Sequence, residues 1–166
     1  NRFTHEKVGR AHMLSGQVQG AFLRMISNMI HPRRILEIGT FTGYSAICLA
    51  AGLPEDGLLH TIDNNEELKD NCHDYFVKAG LQNKIIQHTG NALDIIPSLN
   101  EIFDLVFIDA DKINYTNYFD LVIDKVKENG FILADNVLFH GEVLEPESVQ
   151  SAAARAIQRF NEKIKS

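Results

Sequence analysis

Short apolar runs alternate along the chain with longer stretches in which apolar residues recur every three or four positions. The short runs predict five strands: RILEIG, GLLHTID, KIIQH, FDLVFID and FILAD. The longer stretches predict helices: YSAICLAAGL, EELKDNCHDYFVKAG, ALDIIPSL, YFDLVIDKVKENG and SVQSAAARAIQRF. Apolar strands that alternate with helices predict a mostly parallel sheet covered on both faces. Because crossovers between parallel strands are right-handed, the expected fold class is α/β with a doubly wound sheet.

A first helix precedes these elements and ends before Pro32. Its apolar residues recur at helical spacing: Val18, Phe22, Met25, Ile26, Met29 and Ile30. No low-complexity linker and no internal repeat interrupts the sequence. We therefore expect one domain over residues 1–166.

Composition supports a single globular domain, since 45% of the 166 residues are hydrophobic and 23% are charged. The formal net charge of −6 argues against a nucleic acid or an anionic membrane as the main partner. Cys48 and Cys72 are isolated, so neither a disulfide framework nor a zinc site is expected. The sequence has no signal-peptide pattern and no apolar run near the roughly 20 residues needed to span a membrane. We expect a cytoplasmic protein.

Two glycines follow the first predicted strand, in EIGTFTGYS. Gly39 and Gly43 allow a tight turn and a close approach of the backbone to a ligand, and the next helix begins near Tyr44. The dinucleotide fingerprint G-x-G-x-x-G is absent, because Phe41 stands where it requires glycine. An ordinary strand-to-helix turn is the alternative interpretation.

Two acidic residues near this loop favour a nucleotide-type cofactor. Glu37 lies in the first predicted strand, just before the loop. Asp63 ends the second strand, about 20 residues beyond the loop, where a carboxylate can accept both hydroxyls of a ribose. Together with the glycines, these acids predict a cofactor site at the carboxyl ends of the strands.

Several motifs together resemble one known family. They are RILEIGTFTGYSAICLA, TID, GNALDIIPSL, FDLVFIDADKINYTNYFDLV and NGFILADNVLFHGEV, within about Met13 to Val143. The chain resembles the S-adenosylmethionine-dependent, divalent-metal-dependent O-methyltransferases, which include caffeoyl-CoA and catechol O-methyltransferases, and we expect a bacterial member. The resemblance implies a Rossmann-like class I methyltransferase fold whose sheet ends in an antiparallel hairpin. That hairpin is not visible before Ser166.

The resemblance also implies a division of the chain. Residues 1–30 are expected to form an N-terminal helical cap that contacts the substrate, and residues 33–166 the cofactor-binding α/β core.

Polar residues at the ends of the fourth and fifth strands suggest a metal site. Asp109 follows the fourth strand, and Asp135 and Asn136 follow the fifth. Because neighbouring parallel strands end at the same edge of a sheet, these side chains are expected to meet. Their oxygens suit Mg²⁺, Mn²⁺ or Ca²⁺ better than zinc, and the resemblance implies the same three ligands. Helix capping or turn formation is the alternative role.

A metal ion there would chelate two adjacent oxygens of a substrate and lower the pKa of its hydroxyl. Lys112 is the candidate general base or an electrostatic partner of the oxyanion, with Asp109 beside it as a catalytic residue. A solvated lysine beside an acidic cluster is the simpler alternative for Lys112. Asp111 is expected to face the cofactor.

Further contacts with S-adenosylmethionine are implied by the resemblance. Met13 and Ser15 match a loop over the methionine part of the cofactor, although Ser15 is equally suited to cap a helix. Ser45 matches a contact to the cofactor carboxylate, with an amide in the first turn of its helix as the alternative partner. Ala92 matches a backbone contact to the adenine. Tyr118 matches a residue near the methionine part, with a core position as the alternative. The complete set of expected cofactor residues is Met13, Ser15, Glu37, Gly39, Thr40, Gly43, Ser45, Asp63, Ala92, Asp109, Asp111 and Tyr118.

The expected activity is methyl transfer by a homodimer to a hydroxyl of a catechol-type or hydroxycinnamoyl-type small molecule. His140 stands where the plant caffeoyl-CoA enzymes have asparagine, so the plant acceptor is not assumed. One alternative is a tRNA hydroxyuridine O-methyltransferase, and the other is a non-catalytic nucleotide-binding domain that has kept the fold. A tRNA would contact a basic face formed by Arg2, Lys7, Arg10, Arg24, Arg33 and Arg34.

Overall fold

The central sheet contains five parallel strands, and every strand that the sequence pattern predicts is present. They are β1 (Arg34–Ile38), β2 (Leu58–Asp63), β3 (Ile85–Thr89), β4 (Phe103–Ile108) and β5 (Val126–Ala134). Their spatial order is β3-β2-β1-β4-β5. They belong to a computed structural model that describes residues 16–165. Within that range the sheet has no antiparallel hairpin, and β5 forms one of its edges.

Helices cover both faces of the sheet, which confirms the doubly wound α/β class. They are α1 (Gln17–Ile30), α2 (Tyr44–Leu49), α3 (Lys69–Lys78), α4 (Ala92–Ser98), α5 (Tyr115–Val122) and α6 (Ala152–Lys163). The first three pack on one face, where Leu23, Leu49 and Phe76 are buried. The last three pack on the other face, where Ile96 and Phe160 are buried. No helix in the described range is long and apolar enough to cross a membrane.

Local sequence explains several of these elements. All six residues of β4 are buried, which is why FDLVFI shows no alternation of apolar and polar positions. The N–H of Leu93 donates to the side chain of Asn91 at 3.1 Å and caps α4. The hydroxyl of Ser151 accepts from the N–H of Ala154 at 3.1 Å and caps α6.

The fifth strand begins earlier than the sequence predicts, and the preceding helix is shorter. The pattern predicts a helix through Gly130, whereas α5 ends at Val122 and a single 3₁₀ turn follows. Val126 already pairs with Phe103 of β4, before an irregularity in the register. Lys127 of β5 forms an ion pair with Asp104 of β4. These tertiary contacts outweigh the helical periodicity of the segment.

The helix α1 is present as predicted, but most of its apolar residues do not face the core. Four of them are exposed: Val18, Phe22, Met25 and Met29. Small residues instead allow α1 to approach α2 closely. A Cβ atom at Gly20 would overlap the ring of Tyr44. The hydroxyl of Ser27 donates to the carbonyl of Leu49.

Candidate active site

The carboxyl ends of β4 and β5 place two aspartates opposite each other. The N–H of Asp109 donates to the carbonyl of Ile38 at 2.9 Å, one residue beyond the end of β4. In the same way, the N–H of Asp135 donates to the carbonyl of Ile108 at 2.9 Å. Because Ile108 pairs with Ala134 in the sheet, the two aspartates follow in register.

The loop after β1 adopts a conformation that requires its two glycines. Gly39 has a φ of 107°, and a Cβ atom there would overlap the backbone carbonyl of Asp109. Gly43 has a φ of 77°, and a Cβ atom there would overlap the ring of Phe76. Phe41 also lies in the left-handed region, with a φ of 46°, which is costly for a residue with a side chain. The loop is therefore fixed closely against β4 and α3.

Asp63 stabilises this loop from the end of β2. Its Oδ2 accepts from the N–H of Phe41 at 2.7 Å, and its Oδ1 accepts from the N–H of Asn65 at 2.8 Å. The carbonyl of Asp63 accepts from the N–H of Gly90, which holds the segment leading to Ala92. Ala92 itself is buried at the start of α4. An open pocket adjoins Asp63, with walls that include Thr40, Leu68 and Thr89.

Glu37 is completely buried beneath the loop. The hydroxyl of Thr61 donates to its Oε2 at 2.6 Å, and the hydroxyl of Thr40 lies 2.5 Å from that of Thr61. When Glu37 is ionised, Thr61 gives its only proton to it, and Thr40 is then the donor between the two hydroxyls. Burial raises the pKa of Glu37 to about 8, against the opposing effect of the Ser45 and Thr61 hydroxyls. Its Oε1 has no hydrogen-bond partner among residues 16–165.

Lys112 lies in a 3₁₀ turn after β4 and reaches back to the ends of the strands. Its Nζ lies 3.2 Å from Oδ1 of Asp109 and 2.5 Å from the hydroxyl of Tyr115. The carbonyl of Asp135 is a third and longer contact, at 3.5 Å. The side chain of Lys112 is therefore largely buried and bonded within the protein, which disfavours the role of a solvated surface lysine.

The carboxylate of Asp135 lies close enough to that of Asp109 for the two to interact. Burial raises the pKa of Asp135, and the negative charge of Asp109 raises it further. The next residue, Asn136, has a left-handed φ of 59°. In the described range no three His, Cys, Asp or Glu side chains form a metal-binding group. The two carboxylates are the donors that the structure brings together, and the Asn136 amide stays a predicted ligand.

Asp111 and Tyr118 form a separate pair beside this cluster. The hydroxyl of Tyr118 donates to Oδ1 of Asp111, and Nδ2 of Asn114 donates to Oδ2 at 2.6 Å. Tyr118 is buried in the core between the sheet and α4–α6. The ring of Tyr118 therefore lies in the core and its hydroxyl is bonded to Asp111, while its contact with the cofactor stays a prediction.

Four other positions singled out in the sequence are Met13, Ser15, Ser45 and His140. Met13 and Ser15 lie outside the described residues. Ser45 is buried in the first turn of α2, near Glu37. His140 is exposed in a segment with left-handed backbone, where its φ is 57°.

Two residues of the site were not predicted from the sequence. Thr61 links Thr40 to Glu37, and Tyr115 contacts Lys112. The only available signal was their spacing, since Thr61 is two residues before Asp63 and Tyr115 is three residues after Lys112.

A glycine loop after one strand and an acid at the end of the next define a class of doubly wound proteins that bind nucleotide-type cofactors. Comparison with known proteins identifies the family within this class. Residues 1–166 match the family model described as O-methyltransferase. The catechol O-methyltransferase of Niastella koreensis is 38% identical over 147 residues, which cover 86% of this chain and 66% of that protein. The chain belongs to the O-methyltransferase family.

Solved structures of relatives confirm the methyltransferase fold. The O-methyltransferase TomG from Streptomyces achromogenes, in complex with SAM, has a TM-score of 0.92 and 34% identity, covering 98% of this chain and 74% of that chain. The O-methyltransferase from Bacillus cereus, in complex with SAH, has a TM-score of 0.87 and 35% identity, covering 92% of this chain and 71% of that chain. The chain spans between 56% and 66% of the length of the curated relatives that it matches.

Proposed function

We propose that the protein transfers a methyl group from S-adenosylmethionine to a hydroxyl of a small molecule with adjacent oxygens, such as a catechol or a hydroxycinnamoyl derivative. The close contact between Gly39 and the carbonyl of Asp109 carries this proposal. Because of it, the loop that suits a cofactor adjoins the cluster of Asp109, Lys112 and Asp135 that suits an acidic hydroxyl. Methyl transfer needs this alignment of two reactants more than it needs covalent help from the protein.

The residues around the loop fit S-adenosylmethionine. Asp63 can accept ribose hydroxyls while it keeps its bonds to the loop, since each carboxylate oxygen has more than one acceptor position. Glu37 lies beneath the loop and is bonded to Thr61, so it supports the loop from below and does not need to touch the cofactor. The SAM and SAH complexes of the two solved relatives support the same cofactor. The other described residues assigned to it in this proposal are Gly39, Thr40, Gly43, Ser45, Ala92, Asp109, Asp111 and Tyr118.

The pair of strand-end carboxylates fits a divalent cation. The raised pKa of Asp135 reflects burial and the charge of Asp109, and a bound cation would favour the ionised form of both. We assign Asp109, Asp135 and Asn136 as ligands of Mg²⁺, with Mn²⁺ or Ca²⁺ as alternatives, because hard oxygen donors suit all three. When bound, the cation would lower the pKa of the substrate hydroxyl.

Lys112 and Asp109 supply the remaining chemistry of the site. The Lys112 ammonium lies beside Asp109 and is held by protein oxygens, so it can stabilise an oxyanion that forms next to the strand ends. The general-base role requires Lys112 to be a neutral amine and is the alternative mechanism.

Two of the three described arginines of the basic face already pair with acids, which weakens the case for a tRNA acceptor. Arg33 forms an ion pair with Asp56, and Arg34 forms one with Glu101. These two arginines are therefore already compensated by acids of the same chain. The non-catalytic alternative, the homodimer, the cytoplasmic location and the division at residues 1–30 and 33–166 stay predictions.

Titration calorimetry with S-adenosylmethionine, followed by transfer to a simple catechol with Mg²⁺ and then with a chelator, tests the proposal. The expected result is cofactor binding with turnover that the chelator abolishes. Binding without transfer to any diol would contradict the proposed acceptor and direct the search to tRNA and larger substrates. Absence of cofactor binding would overturn the whole proposal.

A further inference from the structure

The hydroxyl of Tyr115 lies where β4, β5 and Lys112 meet. Tyr115 begins α5, is completely buried, and packs its ring edge-on against Phe160 with a centroid distance of 5.5 Å. Its oxygen lies 3.1 Å from the carbonyl of Ile108 and 3.0 Å from that of Asp135. The third neighbour is Nζ of Lys112, at 2.5 Å. A hydroxyl with three protein neighbours is part of a polar network and not only of the core.

The donors and acceptors of this network can be assigned. An ammonium can only donate, so Tyr115 accepts from Lys112 and has one proton of its own to give. The carbonyl of Ile108 already accepts from the N–H of Asp135 at 2.9 Å. Among residues 16–165, the carbonyl of Asp135 has only the 3.5 Å contact from Lys112 as a further donor. The hydroxyl of Tyr115 therefore donates chiefly to the backbone carbonyl of Asp135. Tyr115 thus links Lys112 to the end of β5.

The hydroxyl also controls the position of the ammonium. Lys112 Nζ is placed between Oδ1 of Asp109, at 3.2 Å, and the phenol oxygen of Tyr115. Without the hydroxyl, Lys112 would lose its shortest contact and the carbonyl of Asp135 its closest donor. The packing against Phe160 would remain, because it involves only the ring. The phenol oxygen thus has a role that a phenylalanine in the same place lacks.

We infer that Tyr115 is a positioning residue, whose hydroxyl holds the Lys112 ammonium and the Asp135 backbone in one arrangement with Asp109. Partners of this kind typically change metal affinity or activity 10- to 100-fold when they are removed. The consequence for turnover rests on the proposed function. The expected loss of a fixed position for the Lys112 amino group, when the Tyr115 hydroxyl is removed, depends only on the contacts described above.

Tyr115→Phe tests this inference, because it removes the hydroxyl and keeps the ring. In ¹⁵N-labelled wild-type protein, the Lys112 amino group is expected to give a detectable NMR signal, assigned by its loss in Lys112→Arg. In Tyr115→Phe that signal is expected to disappear through faster exchange with water. Mn²⁺ affinity measured by electron paramagnetic resonance is expected to fall about 10-fold, and kcat about 10- to 100-fold, with unchanged S-adenosylmethionine binding.

Two further variants separate positioning from a structural role. Tyr75→Phe removes a tyrosine hydroxyl on α3, away from the junction, and is expected to leave the Lys112 signal, the Mn²⁺ affinity and kcat unchanged. In a Lys112→Met background, Tyr115→Phe is expected to lower kcat much less than it does alone, because the hydroxyl acts largely through Lys112. Thermal unfolding of each variant shows whether the folded fraction accounts for any loss of turnover.

Several outcomes would overturn the inference. One is an amino group of Lys112 that, in wild-type protein, exchanges its protons with water as fast as surface lysines do. This test needs no variant for the comparison. Another is unchanged Mn²⁺ affinity and an unchanged Lys112 signal in Tyr115→Phe, and a third is a loss of turnover explained by unfolding alone. If wild-type protein transfers no methyl group, the proposed function fails, while the Lys112 signal and Mn²⁺ affinity still decide the role of Tyr115.

Discussion

The ammonium nitrogen of Lys112 lies 3.2 Å from Oδ1 of Asp109, and the two side chains are only 15% and 23% exposed. The hydroxyl of Tyr115 and the carbonyl of Asp135 are its other two acceptors. An ammonium has three protons, and here each has an oxygen of the protein as its acceptor. This arrangement favours a lysine that acts by its positive charge. A general base would have to give up one of these bonds together with the proton.

Substitution of Lys112 distinguishes the two roles. Lys112→Met removes the charge and is expected to lower kcat about 100-fold or more. Lys112→Arg keeps the charge but cannot accept a proton, and is expected to retain at least about 10-fold more activity than the methionine variant. Steady-state kinetics at saturating S-adenosylmethionine provide the comparison. An arginine variant as inactive as the methionine variant would favour the general-base mechanism.

Asp135→Ala and Asp63→Ala are expected to have opposite effects on the two ligands. Asp135 interacts with Asp109 and not with the glycine loop, so its removal should abolish metal-dependent transfer and leave cofactor affinity nearly intact. Asp63 holds the N–H groups of Phe41 and Asn65, so its removal should weaken S-adenosylmethionine binding by about 10- to 100-fold. Calorimetric titrations with Mn²⁺ and with the cofactor measure both affinities. Equal loss of both ligands in both variants would contradict this division.

Much of the fold could be predicted because local pattern and tertiary environment agree. Apart from Asp104, the run FDLVFI is apolar, and it forms a strand that is buried along its whole length. The end of α5 could not be predicted in the same way. Its periodic pattern continues, but Val126 pairs with Phe103 and Lys127 pairs with Asp104, and only the folded chain brings these residues together.

In the site, too, some residues could be predicted from the sequence and others depend on contacts that form only in the folded chain. Asp63, Asp109 and Asp135 follow a rule of topology, since parallel strands end at one edge of the sheet. The importance of Tyr115 depends on where its hydroxyl lies after folding, and its spacing from Lys112 does not distinguish it from a core tyrosine. Glu37 was predicted near the cofactor, but its complete burial depends on how the loop covers it.

Gly39→Ala is expected to destabilise the protein by about 3 kcal/mol or more, because the φ of 107° disfavours alanine and the new methyl group would overlap Asp109. Gly80→Ala is a matched control. Gly80 has a φ of 71°, but no atom lies within 4 Å of the added methyl group, so a cost of about 1 kcal/mol is expected. Urea unfolding measures both. Similar losses would show that the contact with Asp109 does not restrict the loop.

His60 and His88 form a hydrogen-bonded pair on β2 and β3, and the tautomers of the pair can be predicted. Nδ1 of His60 lies 3.0 Å from Nε2 of His88. Nε2 of His60 is buried without a partner among residues 16–165. An unpaired buried donor is costly, so the proton of His60 is expected on Nδ1, with His88 Nε2 as acceptor. The ¹⁵N chemical shifts of the two rings at pH 8 test this assignment. A proton on Nε2 of His60 would contradict it.

Glu37 is expected to make stability fall as pH rises, opposite to the usual effect of a salt-bridged carboxylate. Its pKa in the folded protein is about 8, mainly because of burial, against an ordinary value of 4.5. Between these values the folded protein retains a proton that the unfolded chain has released. The free energy of unfolding should therefore decrease with pH, with a slope of up to about 1.4 kcal/mol per pH unit for one proton.

Glu37→Gln isolates this contribution, because glutamine keeps the shape of the side chain and does not ionise. The difference in unfolding free energy between this variant and wild-type protein is expected to grow in favour of the variant from pH 6 to pH 8. Glu55→Gln removes an exposed carboxylate and is expected to show a constant difference over the same range. Urea unfolding at several pH values, without cofactor, provides the measurement. Parallel stability curves for Glu37→Gln and wild-type protein would mean that Glu37 ionises in the folded protein as readily as in the unfolded chain.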